Sequence, residues 1–174
     1  IQDLSYEDDE TIIITPGDPV NATVETQEPL ELTIIDDDNP PLITFELSSE
    51  TIEENSEYSV TLTATTDIQS GVEITIPFTL SGTAGTDEYS IVGDPTPTSI
   101  VIPPNATSAS ITISTYGLDD NEVEVSETII FNFVSDDIVN AVTETENSNL
   151  NLLSEDNSKV DTVFYHILMR PTKV

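Results

Sequence analysis

Carboxylates gather in three short spans of this chain: Asp36-Asp37-Asp38, Asp119-Asp120 followed by Glu122, Glu124 and Glu127, and Asp3 followed by Glu7, Asp8, Asp9 and Glu10. Each span sets several oxygens within a few residues, the donor type that a hard divalent cation takes, and calcium takes six to eight of them at about 2.3–2.6 Å. The rest of the composition sharpens that reading. Against 34 acidic residues stand three basic ones, Lys159, Arg170 and Lys173, so residues 1–158 hold no lysine or arginine to pair a carboxylate. Acids crowded on a folded surface repel one another, and such a surface must stay solvated or recruit cations from solution. The chemistry expected is therefore binding of Ca2+.

Other chemistries lack their parts. Cysteine is absent, which removes disulfides and thiolate metal or redox sites. The single histidine, His166, has no serine or cysteine partner suited to nucleophilic catalysis. Paired carboxylates serve glycoside hydrolysis only in a substrate cleft where one acid has a raised pKa. With no tryptophan, and with the tyrosines and phenylalanines mostly on strand patterns, the rings read as core, and no enzyme activity is expected. A net charge of -31 repels a phosphate backbone, so no nucleic-acid partner is expected. No apolar run approaches membrane-spanning length. Weak carboxylate sites suit the calcium-rich space outside cells, which makes the expected location secreted or cell-surface. The sequons at Asn21 and Asn105 are given no role.

The elements that must position these acids are strands. A hydrophobic content of 36% with this charge would by itself suit disorder, but the apolar residues are mostly Ile, Val, Leu and Phe alternating with Thr, Ser and Glu. Strands are expected at 43–47, 57–64, 72–80, 88–92, 99–102, 108–115, 127–134 and 142–153, with turns at Gly82, Gly85, Gly93, Pro103, Pro104 and Gly117. That spacing predicts an all-β, seven- to eight-stranded, Ig-like antiparallel β-sandwich without a helix of useful length. Tyr58, Val60 and Leu62 are expected to face the core together, as are Ile111 and Ile113. Pro77 marks its strand as an edge or a bulge.

The chain also matches itself. Residues 7–14 align with 124–131 at an offset of 117, Asn21-Ala22 with Asn140-Ala141 at 119, and 32–38 with 150–156 at 118. Residues 1–38 are then the C-terminal part of one repeat, 39–156 a complete second one, and 157–174 a linker or the start of a further element. Asn39-Pro40-Pro41 forms a short stiff connector. The chain reads as a fragment of a longer tandem-repeat protein.

These repeats resemble the Calx-β family over nearly everything before residue 157. The residues carrying the likeness are Ile52-Glu53-Glu54-Asn55, Gly82-Thr83-Ala84-Gly85-Thr86-Asp87-Glu88-Tyr89, the turn Pro103-Pro104-Asn105, the block from Asp119 to Thr128, and Leu32-Thr33-Ile34-Ile35-Asp36-Asp37-Asp38. The resemblance implies calcium ligands at Glu54, Asp87, Asp119, Asp120, Glu124, Glu127, Glu155 and Asp156. In the partial repeat it implies Asp3, Glu7, Glu10, Asp36, Asp37 and Asp38. Two departures stand out: Ser154-Glu155-Asp156 replaces an all-aspartate run, and Glu88 separates Asp87 from Tyr89. The function implied is a calcium-stiffened repeat of an extended adhesin or stalk whose partners are neighbouring repeats and a cell-surface or secretion-machinery protein. A regulatory Ca2+ sensor module and a calcium-independent spacer are the alternatives.

Overall fold

In the computed structural model, the described residues are 5–93, 95–118, 125–145 and, as backbone, 147–153. They fold almost wholly as β-strands, and their one helical element is a 3₁₀ turn at Ser135–Asp137. A hairpin comes first: β1 (Glu10–Ile14) pairs antiparallel with β2 (Leu30–Ile34). Two five-stranded sheets follow and face each other as a sandwich. One sheet runs β11 (Val142–Thr143), β3 (Leu42–Leu47), β5 (Val60–Thr66), β9 (Ser108–Ser114), β7 (Ser90–Ile91). The other runs β4 (Thr51–Glu53), β12 (Asn147–Leu153), β10 (Glu127–Phe133), β6 (Ile74–Gly82), β8 (Ser99–Ile102).

Alternation drives this arrangement. On β5, Val60, Leu62 and Ala64 are buried while Thr61, Thr63 and Thr65 face outward, and Ile111 and Ile113 do the same on β9. From the other sheet Ile74, Ile76, Ile100, Ile102, Ile129 and Phe131 meet them, each at 0–1% exposure. Aromatic rings bridge and brace this core. Phe45 and Phe133 come from opposite sheets and stack with centroids 3.8 Å apart, and Phe78 meets Phe131 edge-on at 5.5 Å.

The fold departs from the sequence expectation in three places. Tyr58 lies outside the core at 86% exposure, because the strand starts at Val60 and residues 54–59 form a turn. Residues 142–153 are two strands on different sheets, β11 and β12. The short strand β4 adds parallel to β12, and β11 adds parallel to β3, so the sheets are antiparallel with two short parallel pairings. For Pro77, of the two expected settings the structure has the bulge, in a strand interior to its sheet. Phe78 donates its N–H to Thr98 on the β8 side, and Thr75 donates to Val139 on the opposite side. Alternation places the missing N–H of Pro77 on that opposite side, between the Phe78–Phe133 pair and the Thr75–Val139 bridge. Two residues of β6 there face five of the partner segment, including the 3₁₀ turn, so no ladder bond is lost.

Candidate metal-binding poles

Strand direction decides where the acids go. β10 starts, β4 and β12 end, and β6 ends at one pole of the sandwich, where β9 also ends and β5 begins. The loops 54–59, 83–89 and the segment after Ser114 therefore open together at that pole. The first two bear Glu54 and Asp87, and Glu127 starts β10 at the same pole.

Glu54 is buried to 4% exposure, which is unusual for a carboxylate. Its turn is pinned on both sides by Thr115, itself fully buried. The Thr115 hydroxyl donates to the Glu53 carbonyl at 2.7 Å and accepts from the Ser56 N–H at 3.1 Å. Beside it the Gly117 N–H donates to Asn55 Oδ1 at 2.9 Å, and both residues take left-handed backbone, Asn55 at φ 49° and Gly117 at φ 76°. The turn holding Glu54 and the turn leading towards residue 119 are thus one bonded unit.

Glu127 opens β10, is half-buried and has one carboxylate oxygen sealed from solvent. Its neighbour Thr128 clamps the start of the next loop. Thr128 donates its N–H to Thr83 Oγ1 at 3.0 Å and accepts at its carbonyl from Thr83 N–H at 3.0 Å and Ala84 N–H at 3.2 Å. Gly82 makes this approach possible: at φ 132°, a Cβ there would lie 2.0 Å from the Thr128 carbonyl oxygen. From this clamp the loop runs to Asp87, which is exposed. Glu88 folds back to accept a hydrogen bond from the Gly85 N–H. Tyr89 packs against the core, and burial first, then the Glu88 charge, pushes its phenol pKa up.

The opposite pole receives the hairpin. Tyr6 bridges to Ser70, its carbonyl accepting from the Gly71 N–H at 2.9 Å and the Ser70 hydroxyl at 3.3 Å. The Glu7 side chain lies against Gly71, where a Cβ would meet its carboxylate oxygen at 2.6 Å. Glu7 N–H donates to Asp36 Oδ2 at 3.0 Å, Asp36 N–H to Asp9 Oδ1 at 3.1 Å, and Asp38 N–H to Asp36 Oδ1 at 3.4 Å. Asp67 completes the junction by accepting from Leu42 N–H at 2.8 Å. Asp36 and Asp38 are half-buried, whereas Glu7, Glu10 and Asp37 are exposed.

Among the described residues no group of three carboxylates or imidazoles is arranged to hold a metal ion. Asp119, Asp120, Glu124, Glu155, Asp156 and Asp3 lie outside the described residues. The donors that are described, carboxylate, hydroxyl and backbone oxygens, match the preference of a hard cation. Sequence reasoning missed Thr115, Asn55 and Asp67, which hold the acidic turns. Thr115 was legible only as the polar residue ending the alternation of β9.

No family model matches the chain, and no curated protein matches it. Among solved structures, domains 4 and 5 of the S-layer protein SbsC are similar at 10% identity and a TM-score of 0.36, covering 74% of this chain and 59% of that one. The E. coli chaperone DraB is similar at 15% identity and a TM-score of 0.36, covering 66% of this chain and 55% of that one. The chain thus spans little more than half the length of either. No helix among the described residues is long and apolar enough to cross a membrane.

Proposed function

We propose that this chain is a calcium-binding structural repeat of an extended secreted or cell-surface protein, an adhesin or stalk built of Calx-β-like sandwiches in tandem. The observation that carries the reading is the placement of acids at both poles. Glu54 and Asp87 sit on loops opening at one pole, where Glu127 starts β10, and the Asp36-Asp37-Asp38 run meets the other through the Tyr6–Ser70 bridge. Units repeating this plan would abut acid-bearing pole to neighbouring turn. A bound cation supplies the positive charge that residues 1–158 lack. The residues that would hold it are Glu54, Asp87 and Glu127 with Asp119, Asp120, Glu124, Glu155 and Asp156 for the complete repeat, and Glu7, Glu10 and Asp36, Asp37 and Asp38 with Asp3 for the partial one. The chain's own part is to fix the turns: Thr115 for Glu54, the Thr83–Thr128 clamp for Asp87, and the Asp36 bonds for the junction.

Calorimetric titration with calcium tests this. A stalk repeat should bind with a dissociation constant of about 10⁻⁴ to 10⁻³ M, the range of extracellular modules. Glu54→Gln should weaken that binding at least about tenfold. Saturation at micromolar calcium would favour a sensor module, and no calcium-dependent heat would leave a spacer.

A further inference from the structure

The hairpin repeats the pairing of two strands inside the sandwich. In β1–β2 the opposed residues are Glu10–Ile34, Thr11–Thr33, Ile12–Leu32, Ile13–Glu31 and Ile14–Leu30. In β10–β12 they are Glu127–Leu152, Thr128–Asn151, Ile129–Leu150, Ile130–Asn149 and Phe131–Ser148. Adding 117 to each β1 residue and 118 to each β2 residue turns the first set into the second. The turns agree as well: Asn21 and Asn140, 119 apart, both take left-handed backbone, at φ 57° and 64°.

The surroundings differ. Ile129 and Phe131 are at 0% exposure, sealed between β6, β12 and the facing sheet, whereas Ile12 and Ile14 are at 45% and 54%. Leu30, Leu32 and Ile34 stand opposite them and are exposed too. Opposed residues share a face, so one side of the hairpin is an apolar patch of five side chains, and a two-stranded ribbon alone is marginal in water.

We propose that this face is a docking surface for strands equivalent to β3–β9 of a further repeat of this chain's own type, one whose own β10 and β12 places are empty. The pairings of β10 and β12 define how the partner sits. A strand in the place of β6 adds antiparallel to β1, one in the place of β4 adds parallel to β2, and a sheet like β3–β5–β9 covers Ile12, Ile14, Leu30, Leu32 and Ile34. A whole second copy fits less well, because its own β10 and β12 fill the equivalent places. An anionic bilayer is repelled by Glu7, Asp8, Asp9, Glu10, Asp36, Asp37 and Asp38 at the hairpin's end. The inference rests on the tandem-repeat part of the proposed function and not on calcium.

Hydrogen exchange on two chains tests it: the 174-residue protein, and a lengthened chain with a second copy of residues 39–117 placed before residue 1. In the first, amides of 10–14 and 30–34 should exchange fast; in the second they should slow by at least about 100-fold, towards the rates of β10. Leu32→Lys in the lengthened chain should abolish that gain and leave β10 protected, which keeps the test independent of global unfolding. Equal, fast exchange of the hairpin in both chains overturns the proposal. So does a dimer of the 174-residue protein with its hairpin already protected, which would make a second copy the occupant. Run in chelator, the same gain with no calcium response removes the metal reading and leaves the docking intact.

Discussion

Replacing Thr115 by valine keeps shape and volume while deleting one hydroxyl, so it isolates the bonds that pin the Glu54 turn. That hydroxyl, at 0% exposure, serves the Glu53 carbonyl at 2.7 Å and the Ser56 N–H at 3.1 Å. Each bond contributes about 1 kcal/mol net, and a buried backbone group left without its partner costs about 1–3 kcal/mol. Partial rehydration at the pole favours the lower end, giving a loss of about 2–3 kcal/mol, or a fall in melting temperature of roughly 5–10 °C for a chain of this size. Thr115→Ser is the control: it keeps both bonds and gives up one buried methyl, about 0.8 kcal/mol. Serine should therefore be the milder change, although hydrophobic transfer alone ranks valine ahead. Thermal melts followed by circular dichroism decide the order. If valine proves as stable as serine or more so, the hydroxyl does not hold the turn and the argument for a fixed Glu54 fails.

Gly82→Ala should cost about 3 kcal/mol or more, read as a lowered urea midpoint, since it combines a disfavoured φ with a Cβ driven into the Thr128 carbonyl. Alanine tolerated there within 0.5 kcal/mol, the ordinary range for a surface change, would mean the Thr83–Thr128 clamp is not as tight as described. Tyr89, whose phenol pKa is raised above its ordinary value of 10.0, favours the folded state while neutral and loses that contribution as pH rises through the raised pKa. Stability should fall above about pH 10 less steeply in Tyr89→Phe than in the parent chain; identical alkaline profiles in denaturant titrations would remove this cause.

Most of the sandwich was legible because its signals are local. The alternation of Val60, Leu62 and Ala64 against threonines, and of Ile111 and Ile113 against Thr112 and Ser114, is enough to lay two strands face-down on a core. The start of β5 was misplaced because Tyr58 keeps the period of two, and only the Ser56 bonds to Thr115 and Tyr58 end the strand at Val60. The three-residue β4 has too little pattern to register, and its pairing with β12 is set by a contact about a hundred residues away. Pro77 announced an irregularity but not its form, since where its missing N–H points depends on two neighbouring strands at once. For the acids, the sequence identified which residues cluster along the chain. That Glu54 is buried and that Glu88 turns back onto Gly85 depends on the packing of the pole, which no local spacing encodes.

The most direct measurement is the melting temperature of the purified chain in calcium and in chelator at equal ionic strength. Free calcium about 100-fold above the dissociation constant adds about 2.7 kcal/mol per site, which corresponds to a rise of roughly 5–10 °C. The account predicts that rise, its reversal by chelator and its loss in Glu54→Gln; coincident melting curves in both solutions would contradict it.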